Sequence, residues 1–183
     1  TLSTAGVSDE IVITGSYATA DIVTTFDSGT DIIQLDLSEI EALASVTNLV
    51  DLDGGNAGAG ALVGGGTMGG AAYDLVTATG DEFLMVTDIA SLSALETALE
   101  LGGTYALTTN GAAGSGADMA AKSGFLVAYD NGVDTWIAVV STTAGAGDNA
   151  TFAAGDLTAT NLVKLAGITD AESLAGTDLV LIA

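Results

Sequence analysis

Three short runs rich in Ile, Val and Thr lie about ten residues apart near the start of the chain. They are residues 10–14 (EIVIT), 21–26 (DIVTTF) and 30–37 (TDIIQLDL), and Gly or Ser turn residues separate them. Branched side chains at this spacing are typical of β-strands. The pattern predicts a mainly β protein, built either as a β-sandwich or as the stacked turns of a short β-solenoid or β-roll.

Two segments carry a helical period instead. Residues 38–45 (SEIEALAS) follow the third predicted strand, and residues 91–101 (SLSALETALEL) repeat leucine at helical spacing before Gly102 and Gly103. Each segment contains Ser followed three residues later by Glu, which is the pattern of a capping box, and the Gly pair is a stop signal. We therefore expect two or three short helices. The predicted N-caps and their partners are Ser38 with Glu41 and Ser93 with Glu96.

The second half of the chain contains a strong hairpin signal. Asn131-Gly132 separates two runs of β-formers, residues 125–130 (FLVAYD) and 135–140 (TWIAVV), and Asn-Gly favours a tight turn with positive φ. We also expect Trp136, the only tryptophan, to be a core residue of this hairpin. Other strands are predicted at residues 81–88 (DEFLMVTD), 161–165 (NLVKL) and 178–182 (DLVLI).

Glycine is concentrated between the two β-rich ends. Residues 51–70 read DLDGGNAGAGALVGGGTMGG, a composition that disfavours a helix and predicts a loop. The loop lacks the Gly-Lys-Ser/Thr of a phosphate-binding motif. The predicted organisation is an acidic β-rich region at 1–50, a Gly-rich linker at 51–80 and a β-rich region with one helix at 81–183, or a single domain containing all three.

The charge of the chain is strongly one-sided. Only Lys122 and Lys164 oppose 24 acidic residues, which gives a net charge of -22. This charge repels phosphate backbones and anionic lipid, so we exclude nucleic-acid binding, and no apolar run is long enough for insertion into a membrane. Salt bridges can neutralise few of the carboxylates, and we expect Lys164 to pair with one nearby. Counterions must neutralise most of the others.

The composition also excludes common catalytic sites. The chain has no His and no Cys, which removes Ser-His-Asp triads, Cys-His pairs and the usual zinc sites. Glu39 and Glu41 do not face each other on a helix, so they make a poor acid/base pair. We therefore predict that the protein is not an enzyme.

Crowded aspartates mark the third predicted strand. In residues 26–38 (FDSGTDIIQLDLS) the spacing Asp-x-Gly-x-Asp lets a turn wrap oxygen ligands around one Ca²⁺. Asp27 and Asp31 are the best candidate pair, and Asp36 with Asp9 or Asp21 from a neighbouring turn would complete the shell. The alternative is that these aspartates cap turns and face water. We prefer that alternative for Asp51, Asp53, Asp130 and Asp134.

Residues 26–38 resemble the segment that closes RTX-type calcium-binding regions in bacterial proteins exported by type I secretion. Residues 124–183 are similar to the C-terminal regions of large surface proteins of that group, through GFLVAYDNGVDTWIAVV, NLVKLAGI and TDLVLIA. The resemblance implies a C-terminal export signal and a location outside the cell or on the bacterial surface, in millimolar calcium. The tandem nonapeptide of RTX β-rolls is absent, so a long calcium-filled roll is not expected.

Together these features favour an extracellular structural protein that self-assembles into a bacterial surface filament or layer stabilised by calcium. A calcium-dependent adhesin of a type I-secreted protein is the alternative, with cell-surface polysaccharide as a candidate partner. Residues 178–183 form a strand, apolar after its first residue, that is either buried in its own sheet or donated to a neighbouring copy, and the same choice applies to residues 1–7. If it is donated, deletion of residues 179–183 abolishes assembly and leaves a folded monomer.

Overall fold

The computed structural model describes residues 6–14, 17, 19–45, 48–49, 60–61, 65–67, 73–74, 83–109, 123–143 and 150–183. Within these ranges the chain is mainly β with two α-helices, as the sequence predicts. The elements in chain order are β1 (Glu10–Ile13), β2 (Asp21–Thr24), β3 (Ile32–Asp36), α1 (Leu37–Ala44), β4 (Asn48–Leu49), β5 (Gly60–Ala61), β6 (Gly65–Thr67), β7 (Tyr73–Asp74), β8 (Phe83–Val86), α2 (Leu92–Leu99), β9 (Leu107–Thr109), β10 (Ser123–Asp130), β11 (Asp134–Thr142), β12 (Ala150–Thr151), β13 (Leu157–Ala166) and β14 (Leu179–Ile182). Single 3₁₀ turns, Ala171–Ser173 and Gly176–Asp178, precede β14.

The strands form three sheets. The largest has the order β2-β13-β11-β10-β8-β6, with β4 added beside β10. A four-stranded sheet has the order β1-β3-β14-β5, and a three-stranded sheet has the order β12-β9-β7. The centre of the large sheet is antiparallel, whereas β2 joins β13 in parallel and β1 and β14 both join β3 in parallel.

Buried side chains form two clusters, one on each face of the large sheet. β10 shows the division, because Leu126 and Ala128 belong to one cluster while Phe125, Val127 and Tyr129 belong to the other. The first cluster also contains side chains of α1 and the four-stranded sheet, and the second contains the leucines of α2. Residues of both predicted end regions, 1–50 and 81–183, meet in the first cluster.

The hairpin prediction is confirmed. β10 and β11 pair antiparallel from Gly124↔Ser141 to Asp130↔Thr135, and Gly132 has a φ of 77°. The side-chain Oδ1 of Asn131 accepts hydrogen bonds from the amides of Val133 and Asp134 at 3.0 Å each. The strands are longer than the apolar runs that predict them.

Both helices are present, but both predicted N-caps are wrong. Asp36 caps α1, where its carboxylate accepts from the amide of Glu39 at 3.1 Å, and Ser91 caps α2 through the amide of Ala94 at 3.2 Å. Each true cap lies two residues before the predicted serine. In α1 the reason is that β3 runs directly into the helix, so the last strand residue becomes the cap.

The Gly-rich segment is only partly described. β5 and β6 fall within the loop predicted at 51–70, so that stretch is not entirely loop. Asp51 and Asp53 lie outside the described residues.

The C-terminal strand is internal to its sheet. β14 lies between β3, which it joins in parallel, and β5, which it joins antiparallel. Leu179 and Leu181 are at most 1% exposed. Of the two alternatives for this strand, the structure shows burial in its own sheet. Of residues 1–7, for which the same two alternatives are predicted, residues 1–5 lie outside the described part of the chain.

Candidate cation site

The predicted pair Asp27 and Asp31 lies in the loop that joins β2 to β3. The loop is a tight turn, since the amides of Thr30 and Asp31 both donate to the carbonyl of Asp27, at 3.0 and 2.9 Å. Gly29 has a φ of 76°, which favours glycine at this position. The sequence Asp-Ser-Gly-Thr-Asp therefore forms the turn expected of it.

The carboxylate of Asp31 is buried and engaged by backbone amides. The side chain is 3% exposed, Oδ1 accepts from the amide of Asp9 at 3.0 Å, and Oδ2 accepts from the amide of Asp27 at 2.9 Å. One oxygen thus holds the start of β1 and the other holds the turn. Charge-assisted hydrogen bonds of this kind stabilise an ionised carboxylate without a metal.

The five candidate ligands divide into two groups. Asp9, Asp27 and Asp31 lie together at the β2–β3 turn, where Asp27 also accepts from the amide of Gly6 at 3.2 Å. Asp21 begins β2 and Asp36 ends β3, so both lie at the opposite end of these strands. Among the described residues, no group of three or more acidic side chains is arranged to hold a metal ion.

Asp21 and Asp36, at the opposite end of these strands, both lie near Tyr17. Burial raises the pKa of Tyr17 to about 12, and the nearby charges of Glu39, Asp36 and Asp21 act in the same direction. Its hydroxyl donates to the carbonyl of Ile13 at 3.2 Å. The carboxyl of Asp36 behaves oppositely, because hydrogen bonds from Ser38 and from the amide of Glu39 lower its pKa.

Asp178 is the most deeply buried acidic residue of the described chain and was not predicted as functional. Its exposure is 0%. Oδ1 accepts from the amide of Gly29 at 2.7 Å, while Oδ2 accepts from the hydroxyl of Ser28 at 2.6 Å and the amide of Ala175 at 2.9 Å. The carboxylate therefore fastens the entry to β14 onto the β2–β3 turn. A repeated triplet signals it, since Gly-Thr-Asp precedes both β3 and β14 in the sequence.

Other acidic side chains have the same role. The carboxylate of Glu100 accepts from the amide of Gly155 at 2.7 Å, and that of Glu96 accepts from the amide of Ala159 at 2.8 Å. Asp130 caps the turn as predicted, by accepting from the amide of Gly132 at 2.9 Å, but it does not face water, because it is 2% exposed and also accepts from the amide of Ala171 at 3.0 Å. Backbone amides thus hold several of the carboxylates within the fold, while the net charge of -22 stays the same.

Lys164 pairs with a nearby carboxylate, as predicted. Its Nζ lies 2.7 Å from Oδ2 of Asp134, and this contact is the main cause that lowers the pKa of the Asp134 carboxyl. The ammonium also lies 5.3 Å from the ring centre of Trp136, whose ring stacks on Tyr129 with centroids 5.4 Å apart. Trp136 lies on the hairpin as predicted, but it is only partly buried and packs against the second core cluster rather than belonging to it.

An open acidic hollow lies beside the hairpin turn. Its volume is about 350 Å³. The residues that line it are Thr87, Asp88, Asp130, Gly132, Thr169, Asp170 and Glu172. Two of its carboxylates already accept backbone amides, since Asp170 caps the turn Ala171–Ser173 through the amide of Glu172 at 2.9 Å and Asp130 holds Ala171. The hollow thus concentrates negative charge without presenting a preformed ligand shell.

Comparison with known proteins finds no matching family model, no similar curated protein and no similar solved structure. In the described part of the chain, neither helix has the length and apolar character needed to span a bilayer.

Proposed function

We propose that this protein is an extracellular structural protein that self-assembles into a filament or layer on a bacterial surface, with calcium stabilising the assembly. The observation that carries the proposal is the use made of its carboxylates. Asp31, Asp130 and Asp178 are buried, and each holds backbone amides of separate segments. These carboxylates therefore hold separate segments of the backbone together, a role expected in a structural scaffold rather than in a catalytic site.

The net charge of the chain is the reason that calcium is part of the proposal. Two copies that each carry -22 repel one another until cations screen or bridge them. Exposed carboxylates supply the hard oxygen ligands that Ca²⁺ prefers. The resemblance of residues 26–38 to RTX-type segments supports the same ion and the same location outside the cell.

For the architecture, we favour the β-sandwich interpretation over the solenoid. The four-stranded sheet packs on the large sheet through the first core cluster. In the described chain β1, β2 and β3 alternate between the two sheets in the manner of a solenoid turn, and β13 and β14 stack in parallel on β2 and β3. The centre of the large sheet, however, is formed by the antiparallel pairs β10–β11 and β11–β13, whereas the turns of a parallel solenoid stack their strands in parallel.

The adhesin alternative receives less support. A sugar-binding surface commonly exposes an aromatic ring on which the sugar stacks, and Trp136 is the one tryptophan available. In the sheet it stands between Tyr129 and Lys164, which are its partners on the two neighbouring strands. Because both neighbours contact the indole ring, its faces are occupied.

The calcium proposal predicts a stabilisation that chelation reverses. A ligand specific for the native state, present at about a hundred times its dissociation constant, adds roughly 2.7 kcal/mol to the free energy of unfolding. The measurement is the melting temperature, together with electron microscopy of the assemblies, in calcium, in magnesium and in chelator at constant ionic strength. An unchanged melting temperature and unchanged assemblies in chelator would refute the role of calcium.

A variant pair locates the ion. Asp27→Asn replaces a side chain with one exposed amide contact and should reduce the calcium-induced shift, with little loss of stability in chelator. Asp31→Asn is a poorer probe, because its new NH₂ group would oppose a backbone amide in a buried site, at a cost of about 1–3 kcal/mol even without calcium. Glu172→Gln is the control. If Asp27→Asn retains the full calcium response, the ion binds elsewhere.

A further inference from the structure

β1 is the outermost strand of the four-stranded sheet. In the described chain its only ladder partner is β3, so its other side presents unpaired backbone groups. β2 is likewise the outermost strand of the large sheet. Both edges lie on the same side of the molecule. β2 lies beside β13 in the large sheet, and β3 lies beside β14 in the four-stranded sheet. The β2–β3 turn contacts the entry to β14 through Asp178.

Exposed apolar side chains accompany these edges. Large hydrophobic residues that are more than half exposed number five in the described chain, and three of them lie on or just before these edge strands: Val7, Val12 and Ile22. The other two, Leu101 and Val133, lie elsewhere. Proteins that must avoid edge pairing place Lys or Pro on such strands. β1 contains neither.

We propose that β1 pairs antiparallel with β1 of a second copy of this chain, about a two-fold axis at Val12. Opposed residues in a sheet must point to the same face. With Val12 opposite Val12, Ile11 lies opposite Ile13 of the second copy and both face the core side, where they already contact the first cluster. The register is therefore self-complementary, extends the four-stranded sheet and covers an exposed valine.

The charges of the strand favour this orientation over a parallel one. Asp9 and Glu10 stand together at the start of β1, so a parallel pair in register would bring like charges side by side. The antiparallel pair sends them to opposite ends, with Glu10 facing Thr14 of the second copy. A two-fold contact is also the commonest symmetry among homo-oligomers.

The inference deepens the proposed self-assembly by naming one of its contacts, and a single-cysteine experiment tests it. Because the chain has no cysteine, Val12→Cys creates the only thiol. Directly opposed residues in an antiparallel pair bring their Cβ atoms close to the separation a disulfide needs. Under mild oxidation Val12→Cys should form a disulfide dimer, whereas the matched control Val133→Cys, with 62% exposure against 51%, should remain mostly monomeric. Equal dimer yields from the two variants would overturn the proposed register.

Light scattering separates this contact from the function. Wild type and Val133→Lys should contain dimers of twice the 17.8 kDa monomer in physiological salt, and Val12→Lys should be monomeric. If Val12→Lys stays dimeric, or wild type is monomeric, the β1 contact is wrong. Larger polymers that persist in Val12→Lys would contradict the contact and leave self-assembly standing. A wild-type dimer that never grows larger in calcium would support the contact and contradict the filament or layer.

Discussion

β10 and β11 pair over seven residue positions, whereas β1 and β3 pair over four. The long antiparallel ladder is buried along its whole length on β10 and closes through a local turn. The short parallel strands come from separate parts of the sequence. At the ends of these strands the buried carboxylates of Asp31 and Asp178 accept hydrogen bonds from backbone amides. Where ladders are short, the protein adds charge-assisted hydrogen bonds to hold the strands.

The difference has a thermodynamic consequence. Each ladder position contributes one modest hydrogen bond, but a buried carboxylate that loses its partners leaves several groups unsatisfied at once. We therefore expect the stability of the four-stranded sheet to depend on a few side chains, and that of the hairpin to depend on many weak contacts. Three changes, taken from the largest effect to the smallest, test this comparison.

Deletion of residues 179–183 should have the largest effect. It removes Leu179 and Leu181 from the first core cluster, and loss of a buried leucine side chain costs about 2–5 kcal/mol. It also leaves β3 and β5 without their shared partner. Since typical domains have only about 5–15 kcal/mol of stability, we expect the cooperative unfolding transition to be lost or greatly weakened.

Circular dichroism during urea denaturation measures this effect, and deletion of Ala183 alone is the control. The structure thus replaces the sequence-based expectation that the truncated chain remains a folded monomer. A truncated chain with a transition close to that of wild type would show that β14 is dispensable and that the comparison is wrong.

Asp178→Asn should have an intermediate effect. The amide group keeps the shape but removes the charge and one acceptor, so at least one of three donors, from Gly29, Ser28 or Ala175, loses its partner. We expect a loss of about 2–4 kcal/mol in the free energy of unfolding. Glu172→Gln, an exposed change nearby, should stay within about 0.5 kcal/mol of wild type.

Hydrogen exchange locates the effect of Asp178→Asn. Amides of β3 and β14 should show a larger acceleration of exchange in the variant than those of β10 and β11. Uniform acceleration over both regions would mean that the two sheets unfold as one unit, and the contrast between them would then have no energetic meaning.

Tyr17→Phe should have the smallest effect at neutral pH, where it removes one hydrogen bond to the carbonyl of Ile13, worth roughly 0.5–1.5 kcal/mol. Its distinctive effect appears in alkali. The native pKa of Tyr17 is raised to about 12 against an ordinary value of 10.0, so the unfolded chain loses its proton first as the pH rises. The stabilisation is therefore complete below pH 10 and disappears progressively towards pH 12, by about 1–3 kcal/mol. Urea denaturation across this range should show a shallower decline in the variant, and identical declines would contradict the assignment.

The sequence predicts local elements well because their signals are local. The hairpin follows from Asn131-Gly132 between two β-rich runs, and β1, β2 and β3 follow from branched residues and turn spacing. The caps of both helices are misplaced by two residues, because more than one Ser or Asp fits the capping pattern and the preceding backbone decides between them.

The long-range features were beyond the reach of these signals. Asp178 contacts Gly29 across 149 residues, and although both segments contain the triplet Gly-Thr-Asp, the triplet does not specify that they meet. The spacing of the candidate calcium residues correctly predicts that Asp27 and Asp31 share one turn. Spacing does not show that β3 separates Asp36 from that turn. It also does not show that both carboxylate oxygens of Asp31 accept hydrogen bonds from the amides of Asp9 and Asp27.

The small number of basic residues also affects how readily trypsin can cleave the chain. Trypsin cuts only after Lys and Arg, and the sequence offers it two positions, Lys122 and Lys164. Lys164 lies within β13, which is paired to β11 on one side and to β2 on the other, and its ammonium is held by Asp134. A protease needs an extended, detached segment, so the bond after Lys164 is protected while β13 remains in its sheet. For a protein proposed to work outside the cell, the fold therefore protects one of its two trypsin cleavage sites.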